Sequence, residues 1–196
     1  MWDERYASDE FVYGTEPNDF LREHANLLSG PILSLAEGEG RNAVFLASLG
    51  HDVLGVDSSA VGLAKAQKLA SANGVSIQTE VVDLYTYQPP TNAFGAVVSI
   101  FAHLPSRYRQ RLHAELQQAI QPGGLFLLEA YSQAQLHYAT GGPKDVDLLL
   151  TPQALAHEFS NFDILLCHEI EREVIEGRLH TGKASVVQFI AKKRTE

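Results

Sequence analysis

Between Pro31 and Tyr131 the sequence alternates short apolar runs with longer amphipathic segments, and this alternation limits the possible architectures more than any other feature. "PILSLA" (31–36), "DVLGV" (52–56), "VSIQTEVV" (75–82), "FGAVVSI" (94–100) and "LFLLEAY" (125–131) read as five strands. Runs that are apolar at successive positions must be covered on both faces, which points to a parallel sheet flanked by helices on either side. The intervening segments carry helix punctuation. "RNAVFLASLG" (41–50) closes on Gly50, and "SSAVGLAKAQKLASANG" opens on a serine cap and stops at Asn73-Gly74. Ser106 is expected to cap a helix running to Ala119, ended by Pro122-Gly123-Gly124.

The last third follows a different pattern. Residues 132–151 form a connection punctuated by Gly and Pro, and "PQALAHEF" reads as a short helix. "FDILLCHEIEREVIEG" and "GKASVVQFIA" face each other across a Gly177–Gly182 turn, so a closing antiparallel hairpin is expected. Before the alternation begins, "PNDFLREHANLL" reads as an amphipathic helix. The expected organisation is one domain over residues 31–196, with residues 1–30 as an N-terminal extension or lid.

Charge and cysteine content narrow the partners. A net charge of −9 disfavours nucleic acid and anionic membrane, which both need basic patches. The only basic cluster inside the domain, Arg107, Arg109 and Arg111, reads as a solvated helix face rather than an anion site. Cys167 has no second cysteine to pair with, and the charged N-terminus lacks the apolar stretch of a secretory signal. A cytoplasmic location, without membrane attachment, and a monomer or weak homodimer are expected.

The turn "AEGEGRN" after the first strand holds the most chemistry. Gly38 and Gly40 let a ligand approach the backbone, and "GEGRNA" satisfies the dinucleotide pattern G-x-G-x-x-G/A. Asp57 ends the second strand 17 residues after Gly40, near the offset of a ribose-binding acid. Glu37 and Glu39 argue against phosphate, since like charges about 4 Å apart cost roughly 4 kcal/mol at an effective dielectric of 20. A phosphate-free nucleoside with its own positive charges suits the turn better. S-adenosylmethionine, with its sulfonium and ammonium groups, has that chemistry. Acidic residues also favour helix N-termini in general, and that reading stands beside it for Glu39 and, to a lesser degree, for Glu37, which sits deeper in the turn.

"LSLAEGEGRN…GVDSS…VVDLYTY…FGAVVSIFAHLP…IQPGGLFLLEAY" resembles the class I S-adenosylmethionine-dependent methyltransferases. With the opening "WDERYASDEFVYGTEPNDFL", it is similar to the branch containing tellurite-resistance and thiopurine methyltransferases. The resemblance implies a single Rossmann-like, doubly wound α/β fold. Its mostly parallel seven-stranded sheet would carry a C-terminal antiparallel hairpin and an N-terminal helical extension. It further implies that Ala36, Glu37, Gly38, Gly40, Asp57, Ser58, Asp83 and Leu84 bind the cofactor, with S-adenosylhomocysteine as product. Asp57 would take the ribose hydroxyls, Asp83 the adenine amino group and Leu84 would offer a backbone amide. Ser34 and Ala36 stand where the family usually has an acid and a glycine, so Glu37 is expected to carry the charge toward the methionine ammonium.

Acceptor chemistry is expected after the fourth strand, where "FAHLP" places Phe101 and His103 as catalytic candidates. His103 either orients or deprotonates an acceptor or bonds locally to backbone. Trp2, Tyr6, Phe11 and Tyr13 either close over the cofactor, Trp2 and Tyr13 foremost, or merely pack the extension onto the domain. His137, His180 and Lys183 lie in two candidate acceptor loops. No nucleophile motif, zinc motif or Walker loop is present, and no metal is expected. The function read here is methyl transfer to a small, soft nucleophile. The alternatives are a nicotinamide-dependent oxidoreductase, opposed by the absence of any Tyr-x-x-x-Lys pair, and a non-catalytic S-adenosylmethionine-binding protein.

Overall fold

Strand β4 (Phe94–Ile100) is buried at all seven positions, and its neighbour β1 (Ile32–Leu35) at all four. Such strands sit at the centre of a covered sheet. The computed structural model describes residues 1–196. The other strands are β2 (Val53–Asp57), β3 (Gln78–Val81), β5 (Ile120–Tyr131), β6 (Phe162–Glu176) and β7 (His180–Lys193). They form one sheet in the order β3-β2-β1-β4-β5-β7-β6. β1 to β5 pair in parallel, whereas β7 runs antiparallel to both β5 and β6. The doubly wound sheet, its closing hairpin and the N-terminal extension match the architecture expected from sequence.

Alternate residues of the central strands feed two cores. Leu33 and Val97 point into one with Leu112 and Leu116 of α5 (Ser106–Ala119) and with Leu155 of α6 (Pro152–Glu158). Ile32, Ala96 and Val98 point into the other with Leu46 of α3 (Arg41–Ser48) and Ala66 and Leu69 of α4 (Ala60–Ala72). Two short helices precede the sheet, α1 (Trp2–Arg5) and α2 (Asp19–His24). α2 is capped by the Asn18 side chain, which accepts from the Leu21 amide at 3.0 Å. No helix is long and apolar enough to cross a membrane.

Four local expectations need correction. Ser106 does not cap α5. It is the first helical residue, and its amide donates to the Asp147 carboxylate at 3.0 Å, so the cap comes from a distant loop. β3 is four residues long rather than eight. β5 starts at Ile120, because Pro122-Gly123-Gly124 lie in a register shift against β4 instead of separating helix from strand. The basic cluster is not a uniformly solvated face: Arg109 is buried against Glu158, and Arg111 donates to the Leu84 and Tyr87 carbonyls.

Candidate active site

The strand order reverses between β1 and β4, and ligands of open parallel sheets gather beyond the strand ends at that point. A cavity of about 690 Å³ opens there. Its walls come from the residues that follow β1, β2, β3 and β4, from the N-terminal extension, and from the β6–β7 turn. Two non-glycine residues flank the reversal in left-handed backbone, Ala36 after β1 (φ 47) and Phe101 after β4 (φ 50). Such strain survives only where the surroundings impose it, and it concentrates at functional sites.

The glycine turn is organised by three carboxylates with separate duties. Asp57 is buried at the end of β2 and accepts from the Gly38 amide (2.9 Å) and the Ser59 amide (2.8 Å), one bond on each oxygen. Each oxygen keeps a lone pair for a ligand donor. Burial pushes the Asp57 carboxyl up, against the pull of those amides. Glu37 folds back over β1, where its carboxylate accepts from the Ser34 hydroxyl and from the Ala43 amide at 2.7 Å. A carboxylate is thereby held against the strand position that Ser34 occupies. Burial pushes the Glu37 carboxyl up to about 7.

Glu39 faces elsewhere. It accepts from the Val12 amide at 2.8 Å and pairs with Lys65 of α4, so it fastens the extension to the domain. Lys65 also donates to the carbonyls of Ser8 (2.9 Å) and Glu10 (2.7 Å). At the far side of the extension the Arg178 amide donates to the Val12 carbonyl at 3.0 Å. Replacing Glu39 by alanine should therefore free the segment around Val12. Amide exchange at Val12 is expected to quicken about tenfold or more, the scale of a charge-assisted bond of roughly 1.5–3 kcal/mol. Unchanged exchange would show that this carboxylate does not hold the segment.

Ala36, Glu37, Gly38, Asp57, Ser58, Asp83, Leu84, Tyr13, Trp2, Phe101 and His103 all line the cavity. Gly40 does not. A Cβ at Gly40 would lie 2.6 Å from the Ala66 Cα, so this glycine (φ 99) admits close packing of α3 on α4 rather than a ligand. Among the N-terminal aromatics Tyr6 is the innermost: its ring covers Gly38 and Gly62, and it stacks on Trp2 at 5.8 Å. Phe11 turns away from the cavity and lies under the Lys65 ammonium. His137 is exposed and Lys183 pairs with Glu171 on the surface, whereas His180 reaches the cavity.

Sequence reasoning passed over Arg41, although it directly follows the glycine turn. Its Nη2 donates to Glu176 at 2.7 Å, while its Nη1 is buried at the cavity without a partner. The residues present fit S-adenosylmethionine. Asp57 has spare acceptors for the ribose, Glu37 is an acid poised for a neighbouring cation, and the orphaned Arg41 Nη1 suits the amino-acid carboxylate.

Residues 32–124 match the family described as "Methyltransferase domain". The 2-heptyl-1-hydroxyquinolin-4(1H)-one methyltransferase of Mycobacteroides abscessus is 24% identical over 120 residues, which is 60% of this chain and 53% of that protein. The chain thus spans about half the length of that curated relative. Among solved structures, one from work on the conversion of a disulfide bond into a thioacetal group during echinomycin biosynthesis superposes with a TM-score of 0.76. It is 21% identical, with 100% of this chain and 92% of that chain covered. TehB from Haemophilus influenzae gives 0.72 at 17% identity, covering 98% of this chain and 66% of its own. Residues 32–124 thus resemble a methyltransferase domain, and the chain has the fold of the class I S-adenosylmethionine-dependent methyltransferases, the family it resembles in sequence.

Proposed function

We propose that this chain transfers a methyl group from S-adenosylmethionine to a small-molecule acceptor, with residues 1–30 as a lid over the cofactor. The observation that carries this reading is the division of the cavity: one end gathers the carboxylates Glu37 and Asp57 beside the unpaired Arg41 Nη1, and the other has aromatic rings and imidazoles. Asp57 would hold the ribose, Asp83 and Leu84 the adenine, and Glu37 and Arg41 the amino-acid end. Tyr6, Trp2 and Tyr13 would exclude water above them. The cofactor supplies a methyl carbon already activated by a sulfonium, so the protein's part is alignment and dehydration. Phe101 and His103 would face that carbon. The net charge of −9 favours a small molecule over nucleic acid or a membrane as the acceptor, and the named substrate of the mycobacterial relative is a small molecule too.

Glu37 makes the cofactor step testable. A cation placed beside this carboxyl favours its ionised form, so affinity for S-adenosylmethionine should rise as pH increases through about 7. Calorimetric titration at pH 6.5 in buffers of different ionisation enthalpy should detect proton release, and Glu37→Gln should abolish it. In the free protein the same shift has the opposite sense. A carboxyl raised above its ordinary 4.5 contributes its stability below that value and loses it as pH rises through about 7. Binding of S-adenosylmethionine and S-adenosylhomocysteine but not NAD is expected. Tight binding of NAD alone would sink the proposal in favour of a nicotinamide enzyme.

A further inference from the structure

Beyond the cofactor end, the cavity closes on a cluster of rings from three parts of the chain. Phe101 is fixed in its left-handed conformation by the bond from its amide to the Glu129 carbonyl (2.8 Å), and its ring lies 4.7 Å from Tyr131 and 5.1 Å from His180. The His103 ring runs nearly parallel to that of Tyr131, at 5.6 Å and 15°. Tyr13, from the extension, packs against His180 at 4.7 Å. These flat surfaces favour a flat occupant.

Two nitrogens in this wall lack partners. His103 Nδ1 lies 2.9 Å from the Leu148 carbonyl, which can only accept, so Nδ1 carries the proton and Nε2 presents a bare lone pair. His103 Nε2 is buried with no hydrogen-bond partner, and so is Nδ1 of His180. Unpaired buried polar atoms are rare and call for a ligand or a water. Both imidazoles are held neutral. Burial lowers His103 to about 4, and burial together with the positive charge of Arg41 lowers His180 to about 3. Neither ring therefore offers a positive charge to a permanent anion. Of the two cations at the cavity, Arg41 pairs with Glu176 through one arm and faces the cofactor end with the other, and Arg5 lies over Trp2 and donates to the Tyr13 hydroxyl at 3.2 Å.

We infer, building on the methyl-transfer reading, that the acceptor is an uncharged, planar aromatic or heteroaromatic ring bearing an acidic O–H. It lies against Phe101, its hydroxyl donates to His103 Nε2, and His180 Nδ1 pairs with a second polar atom on the ring. His180 is then a specificity residue and His103 the proton acceptor. The step balances: the acceptor oxygen bonds the methyl carbon as the carbon–sulfur bond breaks, and that bond's electron pair stays on sulfur, which becomes a neutral thioether. The hydroxyl proton passes to His103 Nε2, so the imidazolium carries the unit charge that the sulfonium brought. A weakly basic imidazole is sufficient, because the oxygen becomes strongly acidic as it is alkylated. The proton then leaves to water.

The test uses umbelliferone, a flat fluorescent phenol with a ring carbonyl, and coumarin, the same ring without the hydroxyl. Fluorescence titration of the S-adenosylhomocysteine-loaded protein with umbelliferone, and competition by coumarin, should show coumarin at least tenfold weaker. With S-adenosylmethionine, His103→Phe should lower kcat about 10²–10³-fold with KM changed far less, the range of general-base catalysis. His180→Phe should instead raise KM for umbelliferone about tenfold with kcat nearly unchanged. Equal binding of the two probes, or methylation of sodium tellurite without that of umbelliferone, would overturn the inference. So would failure of umbelliferone to bind while S-adenosylhomocysteine still binds, an outcome that leaves the methyl-transfer reading standing. Failure of both cofactor forms to bind would overturn both. The probe comparison needs only the unaltered protein, so a misfolded variant does not block the test.

Discussion

Replacing Asp57 by alanine is expected to weaken S-adenosylmethionine binding by about 2–3 kcal/mol, roughly 30- to 150-fold, as judged by calorimetric titration. The size follows from two losses at one site. The first is a charge-assisted pair of bonds to the ribose hydroxyls, which the spare lone pairs of a carboxylate at the end of β2 would accept. The second is the frame of the glycine turn, since the Gly38 and Ser59 amides both end on this side chain. Without it, two backbone donors lose their partner and the turn is free to relax. Asp57→Asn separates the two losses. It keeps one carbonyl oxygen as an acceptor but removes the charge and the symmetric pair, so it should fall between wild type and alanine. The melting temperature of each variant, measured without ligand, shows how much of the change belongs to the turn alone. An affinity left unchanged in Asp57→Ala would mean that the ribose is held elsewhere.

Asp57 was legible in the sequence because the feature that marks it is local: an apolar run ending in an acid at a fixed distance from a glycine turn. β4, α4 and the closing hairpin were legible for the same reason, since periodicity and end signals lie within each segment. What the sequence hid depends on partners far along the chain. The cap of α5 comes from Asp147, 41 residues beyond Ser106. Gly40 looks like a ligand glycine in any local pattern, and only the position of Ala66 shows that it serves helix packing. Glu37 and Glu39 are two residues apart and of the same type, yet one folds over β1 and the other reaches Val12. His180 appeared no more promising than His137 or Lys183 until the hairpin placed it beside Phe101. The polar interior was hidden most completely, because its members come from the extension, α3 and three strands.

That interior sets the second large effect. Arg172 is expected to be the costliest charge to remove, with Arg172→Ala losing about 3–5 kcal/mol of stability. Its guanidinium donates to Glu129 through Nε at 2.9 Å and also through Nη2, and it lies 3.5 Å from Glu176. Glu129 is 0% exposed and Glu176 4%. Arg41 holds the other oxygen of Glu176, while Asn18 donates to both carboxylates and Gln188 to Glu129. Two buried carboxylates are therefore balanced by two guanidinium groups, and removing one of these leaves a buried negative charge without compensation. Urea unfolding should place the loss in that range, with a fall of roughly 10 °C in Tm for a chain of this size. Arg172→Ala combined with Glu129→Gln should recover a large part of it, because the uncompensated charge is then absent. A loss below about 1 kcal/mol in the single variant would show that water reaches the network and screens it. The consequence extends to the acceptor wall, since the Glu129 carbonyl holds the amide of Phe101 and Arg41 borders the cavity. Loosening this network should therefore raise KM for the acceptor as well, so a structural charge pair in the sheet supports the face on which the acceptor is proposed to lie.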